Sequence, residues 1–387
     1  SNGGNTLTMA PEWKDADSRW RDHWMQAVYY PSKRMKVKEG GLFPLKAGHD
    51  EFSLWFDIHD ERMGTIDRPY CVCEFHARLS RTMIYRMNEI MEDKKLAEAI
   101  SKEVSLYSSH IVCLGEGSLI GLLPSITANA LKVTIVESTP WMRKILHKYI
   151  QHYKLVNVTV VSSISEIPNK PSLLIGEPFF LSSVLTWENI PFWYEVEKIR
   201  NAFGDKSIPS LPQECSIRAL PIKFRDLHNT AGRVGTVNGF DLSAFDELSE
   251  KARSAVDAQV EDYSLWEYEG KESEGWKDEE PGRVGVELIA LKFDQSTKSE
   301  EMKKKIGVTG EMNGVAIWAD WKFGDYWLTT GRKREDDLLW SIGHKQGVYF
   351  IPPNLLGEKE IHVMTGFDIS DGQISFNFSR NSIEMKK

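Results

Sequence analysis

Cysteine, long apolar runs and excess positive charge are all scarce in this sequence. Four cysteines among 387 residues are too few for a disulfide framework. No apolar run approaches the roughly 18 to 20 residues of a membrane helix, and the first residues lack the basic and apolar regions of an export signal. The formal net charge of -8 argues against nucleic acid as a partner and favours a basic one. We therefore expect a cytoplasmic and nuclear protein that binds neither membranes nor, directly, nucleic acid.

The composition is that of a globular protein, with 41% hydrophobic and 27% charged residues. At roughly 150 residues per domain, the length of the chain allows two or three domains. Changes of pattern predict a β-rich segment over residues 1–70, an α/β domain over 71–206 and a β-barrel or sandwich over 207–387. Because the aromatic strands of residues 1–70 are too few to bury a core, we expect them to be the tail of a barrel in a longer gene product.

The α/β assignment comes from alternating strand and helix patterns. A helical pattern begins at Asn88 and a second helix is predicted from Pro140 to Tyr153. Four apolar strands are predicted around them, at His110–Gly115, Val133–Glu137, Asn157–Val161 and Ser172–Glu177. This alternation predicts a parallel sheet with crossover helices.

The β-rich part contains two exceptions to its period of two. A helical pattern over Phe240–Val260 predicts an arm-like insertion, about residues 225–260, suited to packing on another domain. The charged run Glu300–Lys305 is interpreted as a solvated turn.

A glycine-containing turn follows the first strand of the α/β domain. Gly115 and Gly117 could bring backbone N–H groups to a polar cofactor. Glu137 ends the next strand about 20 residues later, where a carboxylate can accept hydrogen bonds from ribose hydroxyls. The alternative is that the glycines only form a tight turn.

Three segments together resemble the protein arginine N-methyltransferase family. They are L-L-I-G-E-P-F-F around Glu177, the following F-W-Y run, and R-D-H-W-M-Q near the start. The resemblance is to the two-module type that forms monomethylarginine. It implies a Rossmann-like methyltransferase domain followed by a β-barrel with a helical dimerisation arm, preceded by barrel strands of a first module. It also implies S-adenosylmethionine as methyl donor and arginine-containing proteins, such as histones or Arg/Gly-rich proteins, as acceptors.

The resemblance also assigns candidate catalytic residues. A guanidinium is planar and permanently charged, so a pair of carboxylates suits its orientation and charge. Glu177 matches the first glutamate of the family's hairpin, Thr186 stands at the second position, and Glu188 lies two residues later on the same face of a strand. His23 and Trp24 match the end-of-barrel loop that lines the arginine pocket in the family. Without the resemblance, His23 would be interpreted as a buried barrel histidine beside an aromatic ring.

Other positions depart from the family pattern. Cys113 replaces an acidic residue, Leu119 a third glycine, and Gly343 and His344 replace a histidine and a tryptophan in the second end-of-barrel loop. We therefore expect the first module to bind the methyl donor, while the second is an inactive pseudo-dimer partner in which the cofactor-type residues are remnants. Two alternatives stay open: a non-enzymatic scaffold, and an active module that uses Glu177 and Glu188.

A second motif favours a structural zinc ion. Cys71, Cys73 and His76 place two thiolates and an imidazole within six residues. We expect His344 to be the fourth ligand, because its loop has lost the catalytic pattern. Two further histidines are weaker candidates, His49 and His110. The alternative is a short strand with two buried cysteines.

Overall fold

A computed structural model of the chain describes residues 29, 35–58, 79–107, 109–128, 130–178, 184–188, 190–255, 259–268, 270–272, 283–294, 296–308, 311–335, 337–352 and 354–380. The chain divides into two compact units, Ser1–Arg78 and Leu79–Lys387. Within the described part of the chain, no helix is both long enough and apolar enough to cross a membrane.

The described residues of the first unit form an antiparallel hairpin. Strand β1 (Leu45–His49) pairs with β2 (Leu54–Ile58). The carboxylate of Asp50 closes the turn between them by accepting hydrogen bonds from the N–H groups of Phe52 at 2.9 Å and Ser53 at 2.6 Å. Strand β2 lies within residues 1–70, for which aromatic strands were predicted.

Helices and strands alternate in the first half of the second unit. In chain order they are α1 (Arg81–Glu92), α2 (Lys94–Leu106), β3 (Ile111–Leu114), α3 (Leu123–Thr127), β4 (Val133–Val136), α4 (Pro140–Tyr153), β5 (Val158–Val161), β6 (Leu173–Gly176), α5 (Pro191–Ala202) and β7 (Ser210–Leu211). The strands form a parallel sheet in the order β5-β4-β3-β6-β7. The predicted α/β fold is therefore confirmed, and α4 has the predicted bounds. All four residues of β3 and of β6 are buried, as expected for central strands covered on both faces.

The helical pattern that begins at Asn88 belongs to two helices with a break at Asp93. The Asp93 carboxylate accepts a hydrogen bond from the N–H of Leu96 at 2.9 Å, which caps α2. Its other oxygen accepts the hydroxyl of Tyr326 at 2.8 Å. Since Tyr326 belongs to the β-rich half, one carboxylate both starts a helix and fastens it to the barrel. The apolar side chains predicted for one face of α2 are buried, namely Leu96, Ile100 and Val104.

The second half is antiparallel β structure with one helical insertion. Its elements are β8 (Glu214–Phe224), α6 (Asp226–Ala231), β9 (Thr236–Val237), β10 (Phe240–Asp241), α7 (Ser243–Ala255), β11 (Glu261–Tyr263), β12 (Gly270–Glu272), β13 (Val286–Lys292), β14 (Glu300–Gly307), β15 (Gly314–Phe323), β16 (Tyr326–Thr329), β17 (Arg332–Glu335), β18 (Asp337–Trp340), β19 (Gln346–Phe350), β20 (Glu360–Asp368) and β21 (Gln373–Ser379). A seven-stranded sheet centres on β8 and β15, and a three-stranded sheet has the order β14-β20-β21. This is the predicted barrel-type domain after the α/β domain.

The prediction of a charged turn at Glu300–Lys305 was wrong. These residues form most of β14, which pairs with β20 along its whole length. The strand lies at the end of its sheet, and its exposed lysine and glutamate side chains oppose the pairing of a further strand. The charge that suggested a turn therefore protects a sheet edge.

Helix α7 and the short hairpin before it form an arm, residues 226–255, with exposed apolar side chains. Phe240 is 74% exposed, Phe245 60% and Leu248 68%. The base of the arm is ordered by Asp246, whose carboxylate accepts hydrogen bonds from the N–H groups of Val234 and Gly235, each at 2.8 Å. A rigid helix with an uncovered apolar face is typical of a surface that another domain covers.

Candidate functional site

The candidate site lies where three neighbouring strands end. The turn Gly115–Ser118 follows β3, Glu137 follows β4, and Glu177 follows β6. Because β4 and β6 lie on opposite sides of β3, the strand order reverses here. In parallel α/β sheets, ligands bind outside the carboxyl ends of the strands at such a reversal. The structure thus brings the predicted cofactor residues and the first predicted catalytic glutamate to one edge.

Glu137 is occupied by the chain's own backbone. Its Oε2 accepts a hydrogen bond from the N–H of Gly117 at 2.9 Å, and its Oε1 from the N–H of Thr139 at 2.8 Å. The residue is 1% exposed. Gly115 and Gly117 have φ values of 134° and 70°, which glycine adopts without strain and which fold the turn toward the carboxylate. The carboxylate expected to receive ribose hydroxyls is therefore already bonded to the turn.

Two side chains near this turn, both at positions that depart from the family pattern, are buried. Leu119, at the position of the family's third glycine, is 1% exposed and packs in the core. Cys113, at the position of an acidic residue, is buried in β3, and burial raises the pKa of its thiol well above the ordinary range. The groups that would meet the polar parts of S-adenosylmethionine at this turn are thus buried or bonded within the chain.

Replacement of Glu137 by glutamine should change how stability depends on pH. Burial raises the pKa of Glu137 above 4.5, against the hydrogen bonds that lower it. The stabilisation associated with the protonated form is fully present below about pH 4.5 and is lost as the pH rises through the folded-state pKa, at up to about 1.4 kcal/mol per pH unit. In Glu137→Gln that fall should be missing. One backbone N–H also loses its acceptor, which costs about 1–3 kcal/mol. Urea unfolding from pH 4 to 8 measures both effects, and an unchanged pH profile would contradict the assignment.

Glu177 is also occupied from within the chain. It is 1% exposed, and its Oε1 lies 2.7 Å from Nε of Arg86 on α1. The hydroxyl of Ser118 donates a second contact to the carboxylate. Burial raises the pKa of Glu177, and the Arg86 guanidinium opposes that rise. Gly176 makes room for the helix that follows, because a Cβ there would lie 2.5 Å from the ring of Phe192.

The second predicted glutamate does not join the first. Residues 186–188 form a turn and not a strand, so Glu188 and Thr186 do not share a strand face as predicted. Glu188 is exposed, and its carboxylate accepts the N–H of Val184 at 2.8 Å. Thr186, at the family position of the second glutamate, is buried, and its hydroxyl lies 2.9 Å from that of Thr330. Glu177 and Glu188 thus have different partners, Arg86 for the first and the N–H of Val184 for the second.

The second end-of-barrel loop packs against α1 beside Arg86. A Cβ at Gly343 would lie 3.1 Å from the Cα of Arg86, so only glycine allows this approach without a shift. His344 is 8% exposed, and its Nδ1 lies 2.8 Å from the hydroxyl of Ser341. Burial lowers the pKa of His344, and the neighbouring cations Arg86 and Lys333 lower it further. The departures at 343 and 344 therefore fit a loop that meets an internal arginine.

Several predicted site residues lie outside the described residues. These are His23, Trp24, Cys71, Cys73 and His76. Among the residues that the structure does describe, no group of three or more His, Cys, Asp or Glu side chains could hold a metal ion. Two histidines named as zinc candidates are visible besides His344: His49 ends β1, and His110 is buried with its Nε2 2.9 Å from the hydroxyl of Thr134.

Sequence reasoning missed Arg86. The residue lies in the buried stripe of α1, between Met83, Met87 and Ile90, where helical spacing calls for an apolar side chain. An arginine within such a stripe is the signal that could have pointed to a buried carboxylate partner.

Relatives of the chain carry the name protein arginine N-methyltransferase 7. The protein of that name from Caenorhabditis briggsae is 39% identical over 389 residues, which cover 99% of this chain and 56% of that protein. The Drosophila simulans protein is 30% identical over 381 residues, which cover 94% and 52%. Among solved structures, the Trypanosoma brucei PRMT1 enzyme-prozyme heterotetrameric complex with AdoHcy covers 76% of this chain and 96% of that chain, with 13% identity and a TM-score of 0.48. No family model matches the chain.

The chain is homologous to the protein arginine N-methyltransferases, and the resemblance noted around Glu177 is confirmed. Within that family its relatives are those numbered seven. The chain spans about half the length of these curated relatives, although nearly all of the chain is matched.

Proposed function

We propose that this chain is part of an S-adenosylmethionine-dependent protein arginine N-methyltransferase that forms monomethylarginine, and that the module described here is its inactive partner module. One observation carries the proposal: both carboxylates at the strand reversal are used internally, Glu137 by backbone N–H groups and Glu177 by Arg86. The two carboxylates expected to meet the methyl donor and an acceptor arginine thus already have partners within the described part of the chain.

We further propose that the first module binds the methyl donor and supplies the catalytic glutamates. In this scheme His23 and Trp24 line its arginine pocket, and the acceptors are histones or Arg/Gly-rich proteins in the cytoplasm and nucleus. The net charge of -8 supports a basic acceptor. The exposed apolar side chains of the arm support an intramolecular pairing of the two modules that imitates a dimer.

A structural zinc ion held by Cys71, Cys73 and His76 stays a prediction within this proposal. His344 is poorly suited to be the fourth ligand, because the cations Arg86 and Lys333 lie close to its ring and oppose a divalent metal. Metal analysis of the purified chain tests this part separately.

Calorimetric titration of S-adenosylmethionine tests the central proposal. We expect no binding heat with this chain, because the turn residues do not fit the ligand. The longer two-module protein is the positive control and should bind about one equivalent. Micromolar binding to this chain alone would overturn the assignment of an inactive module. Binding of two equivalents to the longer protein would do the same.

A further inference from the structure

We infer that Arg86 is an internal substitute for an acceptor arginine: its guanidinium fills the binding position of Glu177 and closes that position to other proteins. The inference deepens the proposed function, since it names what occupies the second module's acceptor site. It is carried by the placement of a buried guanidinium against a buried carboxylate at the strand reversal.

The carboxylate of Glu177 lies at a position where ligands bind in related sheets. Glu177 follows a central strand at the edge where parallel sheets bind ligands. A carboxylate 1% exposed at such a place needs a cation or a set of donors. Its partners are the Arg86 guanidinium at 2.7 Å and the Ser118 hydroxyl. The carboxylate thus meets a guanidinium, the group an arginine methyltransferase recognises.

The guanidinium that meets Glu177 comes from helix α1. Arg86 is 8% exposed and reaches Glu177 from the apolar stripe of α1. The glycine at 343 lets the barrel loop close over the same segment. Arg86 also lines a cavity of about 540 Å³ between α1 and the barrel, shared with Glu89, Asp320 and His344. Arg86 lines this cavity and Glu177 does not, so the guanidinium is the member of the pair that the cavity exposes.

The second carboxylate of the family pattern has no counterpart at position 186. Thr186 stands at its position and bonds to Thr330, so the guanidinium meets one carboxylate where the family pattern has two. The buried atoms Nε and Nη2 of Arg86 and Oε1 of Glu177 form no hydrogen bond with any residue that the structure describes, so the 2.7 Å contact between Nε and Oε1 is an ion pair. The site therefore retains one carboxylate that attracts a guanidinium, and it lacks the pair that would orient an acceptor for transfer.

Removal of Arg86 should reopen the site to a small guanidinium compound. In Arg86→Ala, ethylguanidinium plus the alanine Cβ rebuild the arginine side chain atom for atom. We expect ethylguanidinium at ten times its dissociation constant to raise the melting temperature of the variant by about 2–4 °C. The wild-type chain should show no rise at the same concentration. Ethylurea, a neutral compound of the same shape, should have no effect on either protein.

The double variant Arg86→Ala/Glu177→Gln is the matched control. It should lose the preference for ethylguanidinium over ethylurea, since no charged acceptor remains. If Arg86→Ala does not fold alone, ethylguanidinium should restore folding, read by circular dichroism after refolding. Rescue that survives the loss of Glu177, or no rescue at all, would overturn the inference. None of these measurements involves the methyl donor, so failure here is distinguishable from failure of the proposed function.

Discussion

Arg86→Met should lower the free energy of unfolding by about 3–5 kcal/mol at neutral pH, because it leaves Glu177 buried beside an apolar group. Methionine keeps a straight apolar stem in this buried position, so the loss reports the guanidinium rather than a cavity. Without the cation, the folded-state pKa of Glu177 rises further. The destabilisation should therefore be smaller at pH 5 than at pH 7. Urea unfolding of wild type and variant at both pH values measures it.

Two further variants define the meaning of that result. Glu177→Gln added to Arg86→Met should cost much less than the sum of the single changes, because the buried charge is gone. Lys102→Met removes an exposed ion pair with Asp325 and should leave the free energy of unfolding nearly unchanged. If Arg86→Met lowers the free energy of unfolding no more than Lys102→Met does, the ion pair between Arg86 and Glu177 does not stabilise the module.

Phe245→Asp/Leu248→Asp should reduce methylation by the two-module protein by about tenfold or more. Both side chains are mostly exposed in this chain, and a covered apolar anchor typically contributes at least about 1–2 kcal/mol at an interface. If the arm packs on the first module, two buried aspartates break that packing. The initial rate of methyl transfer to a histone-like peptide is the measurement.

The same helix provides the control for the arm. Lys251→Asp changes the charge of an exposed residue of α7 without touching its apolar side chains and should keep the rate within twofold, by roughly 0.4 kcal/mol or less. The double variant in this isolated chain should melt at the wild-type temperature, since the substituted side chains are exposed. A full rate in the two-module protein carrying both aspartates would refute a role for the arm.

The fold was largely predictable because its signals are local. Continuous apolar runs gave β3 and β6, and a first-turn proline gave the start of α4. The break at Asp93 escaped prediction because the apolar spacing continues across it, while the cap depends on the side chain of one residue. The charged residues of β14 led to the wrong prediction of a turn, since an edge strand and a solvated turn both expose lysine and glutamate.

The site was predictable only in part. Residues at the strand ends could be identified, because spacing and family pattern point to Gly117, Glu137 and Glu177. The partners of these residues could not be identified from the sequence, since each partner is set by an individual hydrogen bond or ion pair in the folded chain. The pair between Arg86 and Glu177 joins positions 91 residues apart, and no sequence period links them.

The carboxylate of Asp93 gives the module a mechanical property. One of its oxygens starts α2 and the other holds Tyr326 of the barrel. Loosening either half therefore removes a bond from the other, which couples the opening of the α/β half to that of the barrel. The proposed role as a partner module requires this coupling, because a surface whose two halves open separately could not support the first module.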